Sequence, residues 1–214
     1  MKISFRMLFD MEDVLYDKEW FEKQKEKNNN FPLYEMRREI NVCKTLRYDI
    51  TIIFGRMLGK EFNKTFGHYH PRGYPEIYEV LQGEAIYILQ KPAKIGSRKI
   101  LDAILVRAKK GEKVIIPPGY GHVTVNPSRK KLVMANIVSN KFTSIYEPYK
   151  KLRGACVYIT KNGIIHNSNY ELVSKPKILR AKKVFRETLE ELIETPEKIE
   201  WLEKPKKFPE KFWY

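Results

Sequence analysis

The sequence predicts a mainly β protein, an antiparallel barrel or sandwich carrying helical segments at both ends. Two observations lead there. From about Glu35 to Lys175, short runs rich in β-branched and aromatic residues recur between turn residues, with no long helical pattern separating them as a parallel βαβ sheet requires. On either side of that stretch the hydrophobic spacing and the charge pattern turn helical.

Taken in order, residues 10–28, "DMEDVLYDKEWFEKQKEKN", read as helix and are stopped by "NNNFP". The strands expected after it are "YDITIIFGRML", "EIYEVLQG", "AIYILQK", "ILDAILVRA", "KVIIPPG", "HVTVNP", "KLVMANIVS" and "ACVYITKNG". Residues 182–203, "KKVFRETLEELIETPEKIEWLE", predict one or two amphipathic helices broken at Pro196, with Val184, Leu189, Leu192 and Ile193 on the buried face. This divides the chain into an N-terminal strand and helix extension (1–34), a β-barrel (35–175) and a basic helical C-terminal extension (176–214).

Composition narrows the function classes. At 214 residues with 43% hydrophobic content, the chain can build one substantial core with extensions, and wholesale disorder is excluded. Its two cysteines, Cys43 and Cys156, match no zinc-ribbon spacing and are expected to be free thiols. No apolar run approaches the ~18 residues that a membrane helix needs. The N-terminus becomes charged too early for a secretory signal, so a cytoplasmic protein without a membrane partner is expected. The net charge of +15 raises the question of nucleic acid. Its lysines and arginines are spread along the chain and interleaved with glutamate, which instead predicts an ion-paired surface and no nucleic-acid partner. Such a field also favours anionic small substrates.

Two segments carry chemistry. "GHYHPRGYPEIYEVLQG", residues 67–83, places His68 and His70 two apart, so on a strand both point to one face while Tyr69 points to the other. Glu76, Tyr78 and Val80 share a face of the strand that follows. "GEKVIIPPGYGHVTVN", residues 111–126, runs strand, Pro-Gly turn and strand, with His122, Thr124 and Asn126 on one face. Three imidazoles and a carboxylate from neighbouring strands suit a divalent first-row metal with open positions for water or substrate. The remaining histidine, His166, is expected in a surface turn.

These segments resemble the two cupin motifs. The first has the paired histidines, the glutamate and, after six residues, Gly83, its glutamate coming slightly late. The second has Gly111, Pro117, Gly119, His122 and Asn126 at the family spacing. The resemblance implies a cupin barrel, a double-stranded β-helix or jelly roll. Residues 51–90, "TIIFGRMLGKEFNKTFGHYHPRGYPEIYEVLQGEAIYILQ", are further similar to the cupin-type glucose-6-phosphate isomerases of archaea and some bacteria, with weaker similarity from Leu15 to Tyr170. It implies metal ligation by His68, His70, Glu76 and His122, with iron(II) the first choice and manganese, nickel or zinc as alternatives. It also implies interconversion of glucose 6-phosphate and fructose 6-phosphate in glycolysis and gluconeogenesis, by a homodimer.

Glu76 is then the candidate base, with a metal-assisted hydride shift as the rival route, and Tyr78 the candidate for orienting the sugar. The resemblance points to Thr51, Thr65, Gly67 and Tyr146 for the phosphate; Arg72 and Lys60 are cationic alternatives. Two positions depart from the relatives, which carry tyrosine at Val138 and histidine at Ser144. They keep open a non-catalytic sugar-phosphate-binding cupin. The metal set alone also suits an iron cupin dioxygenase.

Overall fold

The computed structural model of the protein describes residues 1–181 and 184–212. Its strands are β1 (Lys2–Met7), β2 (Pro32–Cys43), β3 (Leu46–Ile53), β4 (Met57–Leu58), β5 (Glu61–Phe62), β6 (Glu76–Gln82), β7 (Glu84–Pro92) and β8 (Lys99–Lys109). They continue with β9 (Lys113–Ile116), β10 (Gly121–Val125), β11 (Leu132–Ser139), β12 (Val157–Thr160), β13 (Gly163–His166), β14 (Glu171–Leu172) and β15 (Lys177–Arg180). The α-helices are α1 (Lys18–Glu26), α2 (Glu147–Lys151) and α3 (Leu189–Glu194). The protein is mainly β, as the strand rhythm predicts. No helix among the described residues is long and apolar enough to cross a membrane.

A six-stranded sheet runs in the order β1-β2-β3-β11-β6-β9, and a five-stranded one holds β10-β7-β8-β14 with β15 also on β8. Among the described residues, only β14 and β15 pair in parallel, each with β8. The chain passes from the first sheet to the second at Gly83, between β6 and β7. Its φ of +86° belongs to glycine, and a Cβ there would stand 3.0 Å from the Lys131 carbonyl. Residues 63–69 run along the free edge of β10, through Thr65 N–H to Thr124 O (2.9 Å), and His68 and His122 exchange backbone hydrogen bonds (3.2 and 3.1 Å). That edge pairing brings the first histidine segment beside the second.

The interior between the sheets is filled by Val80, Tyr87, Leu89, Val106, Val114 and their neighbours. A second apolar cluster lies on the outer face of the six-stranded sheet. There Leu189, Leu192, Ile193, Ile199, Trp201 and Leu202 cover Leu46, Tyr48, Ile77, Ile115, Ala135 and Ile137. Glu79 fastens this cover: its Oε2 accepts the Leu189 amide at 2.7 Å, and its Oε1 lies 3.4 Å from Lys113 Nζ.

Several helical expectations shift. The segment 10–28 divides into a 3-10 turn, Phe9–Val14, and α1, because Leu15 is extended and Asp17 caps α1 by accepting the Trp20 amide at 3.1 Å. In the C-terminal segment the helix begins only at Leu189, where Thr188 and Glu191 form a capping box, and a 3-10 stretch, Pro196–Leu202, follows the proline. Val184 therefore lies before the helix and is 44% exposed, whereas Leu189, Leu192 and Ile193 are buried as the spacing predicts. Lys182, Lys183, Trp213 and Tyr214 lie outside the described residues. Strand β2 is absent from the sequence expectation. Two extra residues bulge from it opposite Asp49 and break its alternation, the register passing from Arg37↔Ile50 to Asn41↔Tyr48. His166 is exposed as expected, but on β13 rather than in a turn. Both cysteines are free thiols.

Candidate metal centre

His68, His70, Glu76 and His122 meet, with one potential ligand atom of each inside a 4.8 Å cluster. His70, Glu76 and His122 are buried, and His68 keeps an edge open to the pocket. The Nε2 atoms face each other: His68 to His70 at 3.0 Å, with Glu76 Oε2 at 3.4 Å from His70 Nε2 and 3.2 Å from His122 Nε2.

The hydrogen bonds around the cluster decide which atoms remain free. His70 Nδ1 lies 2.9 Å from the Tyr74 carbonyl, which can only accept, so the ring proton sits on Nδ1 and a bare lone pair on Nε2 points inward. Asn136 Nδ2 donates to Glu76 Oε1 at 2.8 Å, while Glu76 Oε2 is buried without a hydrogen-bond partner. Burial, then the neighbouring His122 and His70, holds His68 well below the usual imidazole range. Burial likewise brings His70 down to about 4, against the opposing pull of Glu76. For Glu76 burial alone would raise the carboxyl, but the close approach of His122, then of His70, outweighs it and leaves it below its ordinary value. Imidazoles from three neighbouring segments, those of His68 and His70 kept neutral, beside an ionised carboxylate, form a donor set consistent with a divalent metal ion.

The cluster opens into a narrow pocket of about 40 Å³, lined by Tyr34, Thr51, Thr65, Gly67, Tyr78 and Tyr146 among others. All four residues singled out for phosphate thus border one cavity with His68, His70 and Glu76. Thr65 Oγ1 accepts the Thr124 amide at 2.9 Å, which leaves its hydroxyl proton free to donate. Gly67 has φ +89°, and a Cβ on it would meet Val123 Cγ2 at 2.5 Å and Tyr149 at 2.7 Å, so glycine is required there. Tyr146 is 37% exposed and lies 5.5 Å from the His68 ring, centroid to centroid. Tyr78 Oη is 3.1 Å from His122 Nε2, and burial, then Glu76, pushes its phenol well above the usual range, so it stays protonated.

Two expected cations are elsewhere. Arg72 borders a separate groove with Tyr120 and Lys177, and Lys60 is exposed. Instead Arg38 and Arg47 line the pocket, together with Asn136, Val138 and Ser144. The alternation of Arg47, Asp49 and Thr51 with Tyr48 and Ile50 in "RYDIT" was the available signal that charged residues face inward there.

A family model described as Glucose-6-phosphate isomerase (GPI) matches residues 5–175. The glucose-6-phosphate isomerase of Thermococcus litoralis is 28% identical over 135 residues, 62% of this chain and 67% of that one. That of Pyrococcus furiosus is 30% identical over 128 residues (58% and 64%), and that of Thermococcus gammatolerans 31% over 134 residues (62% and 67%). The matched part of the chain thus spans about two thirds of these relatives' length. Among solved structures, the Lactobacillus farciminis oxalate decarboxylase formate complex is similar over 53% of this chain and 31% of its own, at 20% identity and a TM-score of 0.41. The Drosophila melanogaster CENP-C cupin domain is similar over 45% and 62%, at 14% identity and a TM-score of 0.34. With the family model matching most of its length, the chain belongs to the cupin-type glucose-6-phosphate isomerase family.

Proposed function

We propose that this pocket interconverts glucose 6-phosphate and fructose 6-phosphate, with His68, His70, Glu76 and His122 holding one divalent metal, iron(II) as first choice. The observation that carries the reading is the convergence of three Nε2 atoms and a carboxylate oxygen without a good hydrogen bond at the wall of one pocket that the phosphate candidates also line. A cation bound there supplies Lewis acidity toward the C1 and C2 oxygens of the sugar.

The residues divide the remaining work. Thr51, Thr65, Gly67 and Tyr146 bind the phosphate through hydroxyls and backbone N–H. Glu76, ionised and held at Oε1 by Asn136, takes the proton from the carbon beside the carbonyl and returns it to the neighbouring carbon. The C–H electron pair moves into a C=C bond and the carbonyl pair onto oxygen, giving an enediolate; the neighbouring hydroxyl proton then passes to that oxygen, the new carbonyl forms at the carbon that lost its proton, and the C=C pair takes up the returned proton. Tyr78, kept protonated, donates to a substrate oxygen.

Purified chain is incubated with fructose 6-phosphate, with chelator and then with added Fe(II), Mn(II), Ni(II) or Zn(II). Turnover lost to chelator and restored by a metal is expected; no turnover under any loading defeats the proposal. Val138 and Ser144, both lining the pocket, favour one second reading, a non-catalytic sugar-phosphate binder. It predicts thermal stabilisation by the sugar phosphate without conversion. A cytoplasmic homodimer is part of the leading reading, and light scattering checks the assembly.

A further inference from the structure

The pocket contains a charged unit that the isomerase reading leaves unused. Arg38, on the bulge of β2, and Arg47, on β3, flank Asp49, whose carboxylate is fully buried. Asp49 is already committed: Oδ2 accepts Arg38 Nη1 at 2.9 Å and Oδ1 accepts the Glu39 amide at 2.8 Å. Arg47 Nε stands 3.5 Å from Oδ2, beyond good hydrogen-bond length, and is buried without an acceptor. Two guanidinium groups share one carboxylate, so the Arg38–Asp49–Arg47 unit by itself carries a net positive charge, facing the Glu76 carboxylate across Val138.

The strand register locates that charge. Arg47 is the cross-strand neighbour of Val138, and Val138 of Glu76, so the three form one row across β3, β11 and β6. Arg47 therefore lies level with the metal cluster. Thr51, assigned to the phosphate, is four residues further along β3 on the same face, roughly 13 Å away at the strand rise. Short side chains, Val138 and Ser144, border the intervening space.

We propose that Arg47 is a substrate-contact residue at the reacting end of the pocket, where it binds a negatively charged oxygen of the ligand, with Asp49 and Arg38 as its positioning residues. The proposal rests on the sugar-phosphate reading above. The ligand class is a phosphorylated sugar that bears, or develops, negative charge on the oxygens remote from its phosphate. An enediolate and a carboxylate share this feature, two coplanar oxygens that the planar arginine fork fits better than a lysine ammonium does.

The test uses metal-free protein, so that no cation competes for the carboxylate. Calorimetry compares glucitol 6-phosphate, neutral at C1, with gluconate 6-phosphate, carboxylate at C1, on wild type, Arg47→Ala, Arg47→Gln and Arg47→Lys. Wild type is expected to prefer the gluconate by about tenfold or more, as for a charge-assisted hydrogen bond. Arg47→Ala and Arg47→Gln should abolish the preference and leave glucitol 6-phosphate affinity intact; Arg47→Lys should keep part of it. Should the alanine variant lose stability, the glutamine variant gives the answer. An unchanged preference, or equal loss for both ligands, overturns the role of Arg47. If wild type binds neither ligand, the sugar-phosphate reading fails and this inference falls with it.

Discussion

The six-stranded sheet presents opposite chemistries from alternate residues of the same strands. Inward, β3 offers Arg47, Asp49 and Thr51, β11 offers Asn136 and Val138, and β6 offers Glu76 and Tyr78. Outward, the same strands offer Leu46, Tyr48, Ala135, Ile137 and Ile77, sealed beneath the C-terminal segment. A slip of one residue would exchange the faces, so the polar pocket and the apolar cover specify one register together. The contrast separates two duties. The inner face buries charge and unpaired polar atoms, which opposes stability. The outer face buries six apolar side chains of the C-terminal segment, each contributing about 1.5–3 kcal/mol when fully buried.

The largest effects come from breaking the inner face. Glu76→Gln should lower kcat by about 10²–10⁴-fold, the usual scale for losing a general base. Denaturant unfolding of the metal-free variant should show a small loss of stability near pH 7, because Glu76 ionises more readily in the folded pocket than in the unfolded chain. A kcat within about tenfold of wild type would fall below that scale, remove Glu76 as proton carrier, and favour direct hydride transfer between the carbons. On the outer face the expectation reverses. Trp201→Ala should cost about 3–5 kcal/mol in urea unfolding, toward the lower end because its buried Nε1 has no partner to lose. The folded fraction should retain its kcat; a catalytic defect as large as the stability defect would mean that the cover also shapes the pocket.

The two faces also differed in how readily the sequence disclosed them. His68, His70 and His122 announce themselves because they are rare residues at strand period beside Pro-Gly turns, and Glu76 follows from the strand that resumes after the loop. Arg38 does not, since its strand is bulged and a bulge removes the alternation by which a face is recognised. Asn136 sits in "KLVMANIVS", an apolar run with no sign that its amide reaches Glu76 across a strand. Leu189, Leu192 and Ile193 were legible as a helix face, but what they cover was not, because Glu79 lies 110 residues from the Leu189 amide it accepts. Long-range pairing of this kind leaves no local pattern.

A milder change sharpens the comparison at the point where the cover begins. Thr188 caps α3, accepting the Glu191 amide at 3.2 Å, and Thr188→Ala should cost about 1 kcal/mol without touching kcat. Thermal unfolding with and without a saturating sugar phosphate checks this. The same shift in both conditions is expected, because the cap belongs only to the outer face. A variant that gains less stabilisation from the ligand would couple the faces.

The smallest effect is a pH dependence confined to the outer face. Tyr48 is buried there, and burial, with the charges of Glu190 and Glu79 behind it, pushes its phenol up to about 12, whereas an unfolded tyrosine titrates near ~10. The folded chain therefore holds a proton that the unfolded chain has lost between those values. The stability this represents is complete below about pH 10 and disappears as pH climbs toward the folded value, at no more than about 1.4 kcal/mol per pH unit. Lysine deprotonation overlaps this range but acts on wild type and Tyr48→Phe alike. The difference between their unfolding free energies from pH 9 to 11.5 thus isolates the phenol: Tyr48→Phe should decline less steeply, by up to that slope. Parallel curves would mean that water reaches the Tyr48 hydroxyl freely, and that the cover over the apolar face is looser than the contact between Trp201 and the sheet implies.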